Sequence, residues 1–306
     1  MAIGDFISAT DYTAIRDKII NVMSTGAGNY GYGQTTFSPV VVAGNSVTKT
    51  QWDALRYDLY NALLHQTGTA TSLVQVAVGD VIRYGSSNPN TQYNTFADQA
   101  VLNRFDLGVG QFVTEAIDSK TFNSSWYQSV SSTSTVTFST AELARFFFNA
   151  GGKIRFASSR TGGNGEAQNT YWSNLLSGAG TKSFGGSTAG VGFFALTNAF
   201  QTFSETAGTS AYTNNKWRLE ARTPFVTNNS SGTASVIEFR VTWLDAYTDP
   251  PTGGPYSPGD FPPGDLVDGT LTLTVDQVRP AGFLQPSGTF TTIGPSGSIV
   301  GAISGS

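Results

Sequence analysis

The residues predict an α+β fold: a small N-terminal module of helices and strand segments carrying an internal duplication, then a mainly antiparallel, sandwich-like β domain, then an extended C-terminal tail. Three observations carry this expectation. Long stretches of apolar residues at helical spacing are concentrated near the N-terminus. Apolar and charged residues alternate one by one in the 153–157, 217–222 and 237–243 segments, as along half-buried strands. Prolines and glycines crowd Asp249 to Asp265, and Gly288 to Ser306 holds no charge. The expected organisation is a docking module over 1–108, a β-rich domain over 109–248, a linker over 249–265 and an assembly tail over 266–306.

The first helix is expected from about Asp11 to Met23, with Thr10 as N-cap and Tyr12, Ile15, Ile19 and Val22 on one face. Gly26 and Gly28 follow its end, where a left-handed cap favours glycine. Val40, Val41, Val42 and Val47 flank a Gly44-Asn45 turn and predict a strand or hairpin. A second helix opens at Thr50, with Asp53 as its capping-box partner and Trp52, Leu55, Leu59 and Leu63 facing a core. Thr10-Asp11-Tyr12, Ala14-Ile15-Arg16 and Asn21 recur forty positions on as Thr50-Gln51-Trp52, Ala54-Leu55-Arg56 and Asn61, which reads as a duplication. Each copy continues into a β-branched segment, Val40 to Val47 and Val74 to Ile82. A third helix from about Thr95 to Arg104 brings Phe96, Ala100, Val101 and Phe105 to the same core.

The Ser129 to Thr135 cluster reads as a boundary. Ser139 and Glu142 form a capping box for a short helix, Ala141 to Phe148, which Gly151-Gly152 ends. Ile154 and Phe156 turn inward on the next strand. Thr161-Gly162-Gly163-Asn164-Gly165 lacks the Lys-Ser/Thr of a phosphate loop and reads as a hairpin turn. Trp217, Leu219 and Ala221 alternate with Arg218, Glu220 and Arg222, and Ile237, Phe239, Val241 and Trp243 with Glu238, Arg240 and Thr242. If these two strands pair, Glu220 and Glu238 face arginines across the ladder. Beyond the linker, Leu271, Leu273 and Val275 alternate with threonine, and they are expected, with Phe283 and Phe290, to be ordered against a neighbouring subunit.

Charged residues are only 12% of the chain, so Ser, Thr, Asn and Gly carry its solubility, while 39% hydrophobic residues supply enough apolar surface to fold. A net charge of -4 without a Lys/Arg cluster excludes the field that gathers nucleic acid. No cysteine is present, which removes disulfides and thiolate metal sites. The first residues lack a basic segment followed by an apolar one, and no apolar run has membrane-spanning length; synthesis in the cytosol without membrane insertion is the expectation.

Catalysis finds few parts. His65 is the sole histidine, and a helix-terminal structural role is expected for it rather than membership of a triad or metal site. Glu166, Glu205, Glu220, Glu238 and Asp245 could in principle supply the two carboxylates of a glycan-degrading enzyme. Arginine partners for Glu220 and Glu238 favour a structural reading, and no enzyme and no cofactor are expected. Trp126, Tyr127, Tyr171 and Trp172 are the candidate sugar-stacking or subunit-contact residues.

Asp11-Tyr12 to Gly26, Tyr32-Gly33-Gln34, Thr50 to Arg56, Leu64 to Gly68 and Phe146 to Phe156 resemble segments of virion structural proteins of tailed phages, notably marine and cyanobacterial myoviruses. That resemblance implies a non-catalytic virion component of the tail, neck (collar) or fibre. Its partners would be copies of itself, as a trimer or ring, and other virion proteins. A host-surface glycan adhesin is the alternative, followed by a capsid decoration protein or a polysaccharide depolymerase.

Overall fold

A computed structural model describes residues 8–77, 89–186, 190–247 and 266–281, and the short strands at 284–285, 288–289 and 303–305. The fold is α+β, with helices leading the chain and antiparallel sheets following. It divides into two compact units. The first comprises Met1–Val113, Glu142–Gly152 and Val278–Gly294, and the second Thr114–Ala141, Lys153–Gln277 and Pro295–Ser306.

In the first unit, helices α1 (Ala9–Met23), α2 (Lys49–Thr67) and α3 (Pro89–Leu102) share one core. Tyr12, Ile15, Ile19 and Val22 of α1 meet Trp52, Leu55, Leu59 and Leu63 of α2 and Tyr93, Ala97 and Ala100 of α3, all buried. Each large aliphatic side chain removed from water in this way contributes about 1.5–3 kcal/mol. Tyr12 and Trp52 pack edge to face at 5.5 Å, and Tyr93 closes on Trp52 at 5.2 Å.

Both helices begin two residues earlier than their threonines suggested. Ser8 and Asp11 form the reciprocal capping box of α1, and Thr48 and Gln51 form that of α2. Three residues after Thr10 stands Thr13, which cannot complete a box. Asp53, the expected partner of Thr50, is instead 2.5 Å from the Lys49 ammonium.

A fourth helix, α4 (Ala141–Asn149), belongs to this unit although it lies far along the chain. Arg145 donates to the carbonyls of Tyr30 (2.6 Å) and Thr25 (2.7 Å), and Asn149 donates to that of Gly31. Gly33, at φ 70°, lies directly on the Phe146 ring, where a Cβ would collide.

No strand forms over 40–47, against expectation; the segment is irregular with a turn at 43–45. Its approach is set by Asp58, buried in α2, whose carboxylate accepts the N–H of Phe37 (3.0 Å) and of Ser38 (2.9 Å). Residues 71–77 are likewise irregular, and the rest of the second β-branched segment lies outside the described residues.

The second unit holds most of two sheets. Strands β1 (Phe112–Phe122), β3 (Lys153–Thr161), β4 (Lys182–Phe184) and β8 (Thr270–Pro280) form one sheet in the order β1-β8-β3-β4. Strands β2 (Ser129–Thr137), β5 (Gln201–Ala207), β6 (Lys216–Arg222), β7 (Val236–Leu244) and β11 (Ile303–Gly305) form the other, in the order β11-β2-β7-β6-β5. A two-residue pair, β9 (Leu284–Gln285) with β10 (Gly288–Thr289), is separate. Rings of the first sheet meet rings of the second: Phe156 is 4.9 Å from Phe239, and Phe184 lies 5.2 Å from Phe203. Trp243 of β7 donates its indole N–H to Ser158 of β3 at 3.0 Å.

Two sequence expectations change here. The Ser/Thr run taken for a boundary is strand β2, with Val130, Ser132, Ser134 and Val136 buried. Its inward serines are tolerated because the buried Lys120 ammonium of β1 donates to both hydroxyls. The glycine run 161–165 joins β3 to a helix, α5 (Ala167–Ala179), rather than turning a hairpin. The linker expected over 249–265 lies outside the described residues.

Candidate functional site

Three of the carboxylates considered for acid–base work, Glu205, Glu220 and Glu238, are held in ion pairs. The β6–β7 register sets Glu220 opposite Arg240 and Arg222 opposite Glu238. Arg240 grips Glu220 through two nitrogens, at 2.7 and 2.9 Å, and Arg222 reaches Glu238 at 2.6 Å. Glu205 on β5 is held by Lys216 (2.8 Å) and Arg218 (2.6 Å). Those cations keep its carboxyl below the usual glutamate range, Lys216 foremost, so it is a poor proton donor near neutrality. Asp245 is buried and accepts a hydrogen bond from the Gln168 amide. Glu166 stands at the N-cap position of α5, where its side chain makes no capping hydrogen bond and its Oε2 is buried without a partner among the described residues. Among the described residues no cluster of three or more His, Asp or Glu could hold a metal ion, and no helix is long and apolar enough to cross a membrane.

His65 is fully buried in the last turn of α2. Its Nε2 donates to the carbonyl of Ala150, just beyond α4, at 2.9 Å. The expected role was at its own helix end; the observed one ties down the end of another helix. Burial pushes its pKa down to about 4, so the ring is neutral at physiological pH.

The aromatic candidates separate by burial. Trp126 (5% exposed) and Trp172 (0%) pack against each other at 5.1 Å in the core and offer no face to a sugar. Tyr127 is half-buried. Leu271, Leu273 and Val275 are buried on β8 inside this chain's own sheet, so these three are not a surface laid on a neighbour. Phe283 and Phe290 lie outside the described residues.

Tyr171 leads to an aromatic group that reaches the surface of the second unit with a built framework. On α5, Trp172 points inward and Tyr171 remains half-buried. Its ring stacks on Tyr212 at 4.2 Å and 20°, and Tyr247 tilts onto Tyr212 at 4.4 Å. The β5–β6 connection holds this cluster in place. The Gly208 N–H donates to the Asn215 carbonyl at 2.8 Å, and that of Tyr212 to the Thr209 carbonyl at 3.1 Å. The Thr209 N–H donates to the Tyr171 hydroxyl. Gly208 is required here, because a Cβ would overlap the Tyr171 hydroxyl and the Tyr212 carbonyl oxygen. Fully buried Asn215 accepts from the N–H groups of Ala246 and Tyr247, both at 2.9 Å.

Two non-glycine residues adopt positive φ among the described residues, and both adjoin this region. Ser210 (φ 55°) sits in the connection itself, and Gln128 (φ 61°) accepts the Asp245 N–H at 2.7 Å. Each such conformation costs about 1 kcal/mol, which the surrounding hydrogen bonds offset. The arrangement is a preorganised platform of apolar ring faces and phenolic edges, suited to stacking and hydrogen bonding rather than to bond-breaking. Sequence reasoning named Tyr171 but missed Tyr212, Tyr247 and α5 itself. The helical spacing of Trp172, Leu175, Leu176 and Ala179 was the available signal.

A different surface marks the first unit. Of the large apolar side chains that stand exposed among the described residues, only Phe225 lies in the second unit. The others include Val109 (84% exposed), Leu102 (77%), Val42 (65%) and Val40 (61%). No family model, no curated protein and no solved structure matches this chain.

Proposed function

We propose that this chain is a non-catalytic structural component of a tailed-phage virion, in the tail, neck or fibre, where it assembles as a homo-oligomer with other virion proteins. The observation that carries the reading is the crowding of exposed apolar side chains onto the first unit. Surfaces of that kind suit protein contact. The first unit is then the docking module. Ion-paired carboxylates and a buried neutral histidine fit a rigid scaffold better than a reaction centre.

The same reading takes α1 and α2 as copies of one repeated segment, supported by capping boxes that recur at the forty-residue offset and by the Tyr12–Trp52 contact between matched positions. It takes the two sheets as a sandwich, supported by the Phe156–Phe239 and Trp243–Ser158 contacts. Mass spectrometry of gradient-purified particles from a lysate containing this chain tests the proposal. A fixed copy number per particle is expected; recovery only in the soluble fraction would defeat it.

The tyrosine cluster favours a second reading, a host-surface glycan adhesin, since ring faces held beside hydroxyls suit sugar rings. A glycan array probed with the full chain and with Tyr171→Ala checks it: binding that the variant loses supports it, and a blank array opposes it.

A further inference from the structure

The Val40-Val41-Val42 segment has the residues of a β-strand and, among the described residues, no strand beside it. Burial alternates along it, with Val40 and Val42 exposed by 61% and 65% and Val41 by 6%. This is the period of a strand lying with one face on a core. The Val41 carbonyl accepts from the Thr13 hydroxyl of α1 at 3.4 Å, and the Pro39 carbonyl accepts from that of Tyr12 at 3.3 Å, so the segment is moored to α1. The N–H groups of Val40, Val41 and Val42 and the carbonyl of Val40 have no hydrogen-bond partner among the described residues. An open cleft of about 350 Å³ between α1 and Val41 and Ala43 leaves the segment uncovered on that side.

We infer that Val40–Val42 is a docking edge for the same segment of a second copy of this chain, paired antiparallel across a two-fold axis. Unpaired backbone donors in a β-branched run call for a strand, because a flat apolar partner would leave them unsatisfied. The sequence is complementary to itself. In an antiparallel pair centred on Val41, Val40 of one copy stands opposite Val42 of the other, and β-branched pairs of this kind favour the ladder. No charged residue occurs from Thr35 to Thr48, so two copies meet there without like-charge repulsion. An isologous contact uses one patch twice and closes on itself, which prevents open-ended growth from an exposed edge. The inference deepens the oligomer reading above by naming the partner and the surface.

Sedimentation equilibrium of the full chain at micromolar concentration tests it, beside Val42→Pro, which removes one edge N–H, and the double variant Val40→Lys/Val42→Lys, which sets like charges face to face. Self-association in the wild type that weakens at least tenfold in both variants, with unchanged far-ultraviolet circular dichroism, supports the inference. Amide hydrogen exchange supplies a readout that does not depend on substitution: protection of the Val40 and Val42 amides should rise with protein concentration. A monomeric wild type would overturn the inference, and so would association that neither variant weakens. In the latter case the virion reading stands with its contacts elsewhere, whereas absence of the chain from purified particles would defeat that reading and leave this pair intact.

Discussion

His65 Nε2 and the carbonyl oxygen of Ala150 lie 2.9 Å apart, and the ring between them and the α2 core is sealed from water. The folded pKa of about 4 is below the ordinary value of 6.5, so the unfolded chain binds the proton more readily. The contribution of this neutral ring is complete above about pH 6.5 and is lost as pH falls through about 4. The loss should reach about 3 kcal/mol. Urea midpoints measured from pH 7 to pH 4 should fall, and the fall should be shallower in His65→Gln, which keeps a donor but cannot titrate.

The two-nitrogen grip of Arg240 on Glu220 differs from the Arg218–Glu205 pair in burial. The Glu220 side chain is 9% exposed, whereas that of Glu205 is 29% exposed and has Lys216 as a second partner. Arg240→Ala strands a desolvated carboxylate and should cost about 2–3 kcal/mol. Arg218→Ala should cost under about 1 kcal/mol. Denaturant titration of both variants, with a double-mutant cycle on each pair, measures the difference.

Gly108 and Gly178 should respond oppositely to a methyl group. A Cβ on Gly108 would overlap the backbone nitrogen of Gly68, the left-handed cap of α2, where two stretches of main chain cross. Gly108→Ala should therefore destabilise by about 2 kcal/mol or more. Gly178 lies inside α5 with open space around it, and Gly178→Ala should stabilise by about 0.5–1 kcal/mol through helix propensity. Thermal melts of the two proteins should shift in opposite directions.

Phe239 of β7 touches Phe156, Phe184 and Phe203, so it joins rings from both sheets. Phe239→Ala should cost about 3–5 kcal/mol by opening a cavity at that junction. A loss below about 1 kcal/mol in chemical denaturation would mean that the ring contacts do not hold the sheets together.

What the sequence made legible was whatever local pattern decides. The α1 and α2 faces followed from apolar spacing, and the Glu220–Arg240 ladder followed from alternation on β6 and β7. Features decided by distant partners were not legible. The serines of β2 look like loop residues until Lys120 satisfies them, and Val40–Val42 looks like a paired strand until Asp58 and Thr13 are seen to moor the chain otherwise. Leu271, Leu273 and Val275 read as a tail because a proline-rich stretch precedes them, yet β8 lies between β1 and β3. Of the candidate site, Tyr171 was visible as half of an aromatic pair, but Tyr212 and Tyr247 reach it through a connection whose shape rests on Gly208 and Asn215.

Electron microscopy of purified particles labelled with an antibody against this chain tests whether it is a virion component. Label is expected at a defined, symmetry-related position on the tail, neck or fibre of each particle. Unlabelled particles from a lysate whose soluble fraction contains the chain in quantity would contradict it.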